Sequence, residues 1–134
     1  MPAYPIVFQA PDGRWITCYD GEHAAAVHIL IDPLIWRKAG SFVRADGDVD
    51  WTALERAAGP WSSGERLLTE AAMDLYCGLT SDSTATLKRL CHVLDTPHLA
   101  RVLEGVCLLR PDVTHFAIRA GDLPSGPGSR TEEA

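Results

Sequence analysis

The sequence predicts an α+β fold, with a small N-terminal β-hairpin and helix part packed on a helical body of three to four helices and a closing C-terminal strand. Three observations point there. Aromatic and β-branched residues flank a Pro11-Asp12-Gly13 turn near the start of the chain, which is hairpin chemistry. From Asp48 onward the apolar residues recur at helical spacing between explicit caps and stops. Alternation of period two returns at 113–119, where Thr114, Phe116 and Ile118 interleave with Val113, His115 and Ala117.

Ile6–Ala10 and Trp15–Tyr19 are the expected hairpin strands. Residues 21–32, GEHAAAVHILID, begin with helix formers and end with β-branched residues. They predict a helix starting near Gly21 and stopped by Pro33, although Val27–Ile31 also fits a buried strand. Phe42–Arg44, ahead of Ala45-Asp46-Gly47, suggests a short third strand. Asp50 is a good N-cap for a two-turn helix over Trp51–Ala58. Val49 at N′ and Leu54 at N4 are placed as a hydrophobic staple, and Gly59-Pro60 forms the stop.

The clearest element follows. Ser62 and Glu65 have S-x-x-E spacing, the capping box that satisfies amides a helix cannot pair internally. Leu67, Leu68, Ala71, Ala72 and Leu75 then make one apolar stripe, and Gly78 sits where a left-handed C′ residue belongs. A further helix is expected from about Thr84 to Leu94, capped by Asp82 or Ser83, with Leu87, Leu90, Cys91 and Leu94 inward. Thr96-Pro97 reads as N-cap and N1 of a last helix with Leu99, Val102, Leu103, Val106 and Cys107 inward. Residues 1–120 are thus expected to form one domain, mixed α/β over 1–47 and mainly helical over 48–120. The Gly-, Pro- and Ser-rich segment 121–134 is expected to be a disordered tail.

With 134 residues and 46% hydrophobic composition, the chain can bury a core without disulfides or metal. Its formal net charge of −6 argues against a phosphate-binding surface unless the cations cluster, and they do not. Residues 1–47 carry four Lys or Arg against five acids, 48–111 six against nine, and 112–134 two against four. The cysteines Cys18, Cys77, Cys91 and Cys107 form no CxxC pair and read as reduced core thiols. The N-terminal stretch lacks a basic n-region and its apolar run is cut by Pro11, so no signal peptide is expected there. No apolar run approaches the roughly 20 residues of a membrane span. Those readings together place the protein in the cytoplasm.

Chemistry-bearing patterns are thin. Gly59 to Gly64 resembles a nucleophile elbow only superficially, because no strand precedes Ser62 and Ser63 and capping accounts for the former. Cys91 and His92 are adjacent, about 100° apart on a helix, which disfavours a thiolate–imidazole contact. His23, His28, His92, His98 and His115 have no metal-ligand spacing, and no phosphate-cradling glycine loop occurs. No cofactor or metal is implied. His28 and Asp32, at i and i+4, could form a hydrogen-bonded dyad. Trp15, Tyr19, His28 and Trp36 could line a small-molecule pocket.

Over residues 62–119 the order helix, turn, helix, Asp95-Thr96-Pro97 turn, helix and strand resembles that of winged-helix DNA-binding domains. The resemblance implies that the helix from Pro97 to Leu109 is the recognition helix, presenting His98, Arg101, Glu104 and Gly105 outward. One firm cation beside a carboxylate is poor equipment for duplex DNA. The leading expectation is therefore a non-enzymatic interaction or assembly protein whose partner is another protein or a second copy. A winged-helix-like DNA-binding regulator using His98 and Arg101 is the alternative. A small-molecule binder or enzyme built on the N-terminal aromatics is the third reading.

Overall fold

A computed structural model describes residues 4–78 and 85–112, and it is α+β with a helical body. The strands β1 (Ile6–Gln9) and β2 (Trp15–Cys18) pair antiparallel, with Ile6 opposite Cys18 and Gln9 opposite Trp15. The turn between them closes with Ala10 N–H to the Arg14 carbonyl at 2.8 Å. Gly13 takes φ of +91°, a conformation that glycine adopts without strain. Ile16 and Cys18 face the core; Trp15 and Val7 face solvent.

Helix α1 (Gly21–Leu30) settles the ambiguity of residues 21–32. Asp20 caps it, accepting the His23 amide at 2.8 Å. The β-branched Val27 and Ile29 cost it only tenths of a kcal/mol in propensity. Burying each contributes about 1.5–3 kcal/mol, so packing decides the conformation. Ala24, Ala25, Ala26, Val27, Ile29 and Leu30 are all buried, and α1 is the central rod of the molecule, packed chiefly between α4 and α6.

Pro33 does more than stop α1. It stands in the first turn of α2 (Pro33–Ala39), a seven-residue helix that the sequence reading did not anticipate, capped by Asp32 through the Leu34 amide at 2.8 Å. The expected strand at Phe42–Arg44 is instead a 3-10 turn over Gly40–Phe42, followed by a single bridge between Val43 and Val49. Between those residues Arg44 N–H reaches the Asp48 carbonyl at 2.8 Å and Gly47 turns with φ of +84°. A Cβ at Gly47 would come within 2.8 Å of Cys18 Sγ, so both conformation and space require glycine there.

Helix α3 (Trp51–Ala58) has the expected bounds and the Asp50 cap, and the staple residues Val49 and Leu54 are both buried. Helix α4 (Ser63–Cys77) carries the complete capping box, with Ser62 N–H on Glu65 Oε1 at 3.0 Å and Gly78 at φ of +88°. Glu65 also binds the Lys38 ammonium at 2.9 Å, which ties α2 to α4.

Two corrections concern the C-terminal helices. Helix α5 is Leu87–Val93 with Thr86 as its cap, shorter than expected, and it buries Leu90 while leaving Leu87 and Cys91 exposed. Helix α6 (Thr96–Leu109) is capped by Asp95, with Thr96 and Pro97 inside its first turn. Its orientation is the larger correction. Leu103 points to solvent, while Gly105 is buried and His98, Arg101 and Glu104 reach α1 and the residues that follow it. The expected closing strand at 113–119 and the tail at 121–134 lie outside the described residues.

Candidate functional site

Helices α1 and α6 run antiparallel and close against each other at Gly105. A Cβ there would stand 3.3 Å from the Ala25 carbonyl oxygen and 3.1 Å from Ile29 Cδ1 and Leu75 Cδ1. At the other end, Gly21 lies against the Leu108 carbonyl. The close approach brings the polar side chains of α6 onto the C-terminal end of α1. Asp32, only 4% exposed, is the centre of the cluster that results. Its Oδ2 accepts from Arg101 Nε at 3.1 Å, its Oδ1 lies 3.4 Å from His98 Nε2, and the same Oδ1 caps α2 through Leu34. His98 Nδ1 is held by Asp95, the cap of its own helix. Arg101 spends a second N–H on the His28 carbonyl at 2.9 Å, an oxygen in the last turn of α1.

His28 makes no dyad with Asp32. Its Nε2 pairs with Glu104 Oε1 at 3.0 Å, and its ring tilts against Phe8. Every polar residue assigned to the outer face of a recognition helix thus contacts the chain's own α1–α2 corner. Chemically the cluster is a buried carboxylate paired with a guanidinium, with an imidazole beside it. Such a buried charge is tolerated only with partners of this kind.

The four aromatic-pocket residues are dispersed. Trp15 and Tyr19 are 60% and 64% exposed, and His28 belongs to the α6 contact. Trp36 is buried beneath the Arg14 guanidinium, 5.0 Å from its ring centre. Arg14 is itself pinned to the Val43 carbonyl at 2.6 Å. The Arg14 amide and the Trp36 indole hold the nearby Asp12 carboxyl below its usual range. This shallow cleft takes Trp36 alone of the four.

The thiols differ sharply. Cys18 is fully buried, and burial, with Asp20 and Asp46 nearby, pushes its pKa up to about 12. Cys77 and Cys91 are exposed and Cys107 is partly so; none is paired. Among the described residues no group of three His, Cys, Asp or Glu side chains is placed to hold a metal ion, and no helix is long and apolar enough to cross a membrane.

Apart from Val7, Trp15 and Tyr19 on the hairpin side and Leu34 on α2, the large apolar side chains exposed among the described residues lie on the C-terminal helices. Leu87 on α5 is 81% exposed, Leu103 on α6 is 55% exposed, and Val93 is exposed near the junction of the two. Around Val93, the residues Lys88, Arg89 and His92 line a shallow groove. The sequence reading missed these because leucines at helical spacing are ordinarily core. Compared with known proteins, the chain matches no family model, no curated protein and no solved structure.

Proposed function

We propose that this chain is a non-enzymatic interaction or assembly protein of the cytoplasm, which engages another protein or a second copy through the outer surface of α5 and α6. The observation that carries the reading is the exposure of Leu87 on α5 and Leu103 on α6, the latter on a helix whose His98 and Arg101 are turned onto Asp32. Solvation penalises a large exposed leucine, and partner burial would recover about 1.5–3 kcal/mol for each. Lys88, Arg89 and His92 would supply the polar rim of such an interface. Free thiols suit a reducing compartment. The DNA-binding alternative is weakened by the engagement of Arg101 and His98 with Asp32, which leaves them little freedom to meet phosphates.

The test is association measured by sedimentation velocity over a wide concentration range, for the protein alone and with lysate proteins, against Leu87→Glu and Leu103→Glu variants. The reading expects a complex that these substitutions dissolve while the helical circular dichroism and melting temperature hold. A monomer with no partner, or a complex indifferent to both substitutions, would refute it. Fluorescence anisotropy with duplex DNA at low and moderate salt covers the alternative. Salt-sensitive binding abolished by Arg101→Ala in a still-folded protein would establish that alternative instead.

A further inference from the structure

The antiparallel faces of α3 and α4 leave a groove of about 230 Å³ between them. Trp51, Glu55 and Ala58 line it from α3 at i, i+4 and i+7, and Arg66, Thr69 and Met73 line it from α4 at i, i+3 and i+7. Ala58, Thr69 and Met73 are buried and form an apolar floor; the Thr69 hydroxyl is already given to the Glu65 carbonyl at 3.0 Å. Trp51 is packed on Tyr76 with ring centres 5.4 Å apart. Its buried Nε1 has no acceptor among the described residues, an uncommon state for an indole in a finished wall.

Glu55 and Arg66 bring opposite charges to this groove, yet neither has an ion-pair partner among the described residues, and they do not bridge to each other. Other cations of the chain do close on carboxylates, as Lys38 does on Glu65 and Arg101 on Asp32, so these two groove charges keep their pairing capacity for a third party. Glu55 sets a carboxylate in the same groove as Arg66, so a simple anion would be disfavoured there unless it carried a cation with it. The volume is below the roughly 300–1,000 Å³ typical of drug-sized sites, which limits the occupant to a small molecule.

We propose that the α3–α4 groove binds a small zwitterion of the α-amino-acid type, its carboxylate on Arg66, its ammonium on Glu55 and its apolar side chain on Met73 and Ala58. Opposite charges held apart over an apolar floor match a ligand with the same three features. A molecule carrying only one of the charges would leave the other group of the site unmatched. This site goes beyond the interaction reading and does not depend on it, since α5 and α6 contribute nothing to the groove.

The full-length protein would be titrated calorimetrically with free valine, leucine and methionine. The matching amine, isopentylamine, and acid, 4-methylpentanoic acid, each lack one charge of leucine and serve as the decisive controls. Expected is saturable binding of at least one amino acid, with the amine and acid at least about tenfold weaker, a difference of about 1.4 kcal/mol. Arg66→Gln and Glu55→Gln should each weaken binding by about tenfold or more, with the melting temperature of the free protein unchanged. The Trp51 indole N–H resonance should shift on binding, a readout independent of heat. Absence of saturable binding by all three amino acids, equal binding of the amine or the acid, or indifference to both substitutions would each overturn the proposal.

Discussion

Replacing Arg101 by alanine tests whether the α1–α6 contact is held by its polar centre or merely decorated by it. Asp32 is 4% exposed and loses in this variant the Nε contact at 3.1 Å, keeping the Leu34 amide at 2.8 Å and His98 at 3.4 Å. Removing one partner of a buried pair costs about 3–5 kcal/mol when the survivor is left uncompensated. Here the two remaining contacts and the 26% exposure of the Arg101 side chain reduce that figure to about 2 kcal/mol. The lost hydrogen bond to the His28 carbonyl adds about 1 kcal/mol. Arg101→Ala should therefore destabilise by about 3 kcal/mol, read from urea unfolding followed by far-ultraviolet circular dichroism. Asp32→Asn, which keeps a capping oxygen and frees Arg101 to turn to water, should cost about 1–2 kcal/mol. The double variant should cost less than the two together by about 1.5 kcal/mol, because the charge that Arg101 neutralises is then gone. A loss under about 0.5 kcal/mol for Arg101→Ala, or strictly additive effects, would refute this account and release Arg101 for another role.

The capping box makes a second prediction: Ser62→Ala should cost about 1 kcal/mol of stability, measured by the same unfolding assay. The Lys38 ammonium and the Ser62 amide hold the Glu65 carboxyl below the ordinary glutamate range. Its stabilising contribution is therefore complete above that range and is lost as pH falls through the lowered value, so Glu65→Gln should flatten the acid side of the stability profile. A third concerns the thiols. Iodoacetamide on the native protein should modify Cys77 and Cys91 and spare Cys18, as resolved by peptide mass spectrometry, and early labelling of Cys18 would contradict its burial. Fourth, Gly105→Val should destabilise by about 2 kcal/mol or more, because the added atoms meet the fixed Ala25 carbonyl; an unchanged unfolding midpoint would mean that the helices do not close as described.

The sequence is most legible where an element is determined by its own residues. The Ser62–Glu65 box and the Asp50 cap are local hydrogen-bond chemistry, so α3 and α4 could be read almost to the residue. Helix α2 could not, because seven residues give less than two full helical turns for a period to declare itself, and Pro33 looked like a stop when it was also a start. The orientation of α6 was legible only in part. Of its expected inward stripe, Val102 is buried and Leu99 packs on the core, but Leu103 points to solvent and Gly105 inward, because the contact face is also set by what α1 offers: a close backbone crossing at Ala25 that favours Gly105, and the Asp32 carboxylate and His28 carbonyl at its far end. A hydrophobic period is blind to polar atoms on the helix opposite. For the same reason the site residues His98 and Arg101 looked available from the sequence, and Trp36 looked like half of a pocket when its ring is roofed by Arg14.

Because α1 is enclosed by α4, α6 and the hairpin side of the molecule, its amides have no private route to water. Hydrogen exchange at Val27, Ile29 and Leu30 should demand that neighbours leave first, giving these positions the opening free energy of the whole body. Helix α5 stands at the opposite extreme, anchored chiefly by Leu90 within its span and by Leu94 just beyond it. Its amides can exchange through a small local opening that leaves the central rod untouched. Slow exchange is therefore expected of the interior and faster exchange of α5, the helix bearing Leu87. Under the proposed interaction role, a helix that opens at little cost to the rest would let the surface adjust to partners of more than one shape while the body keeps a single form.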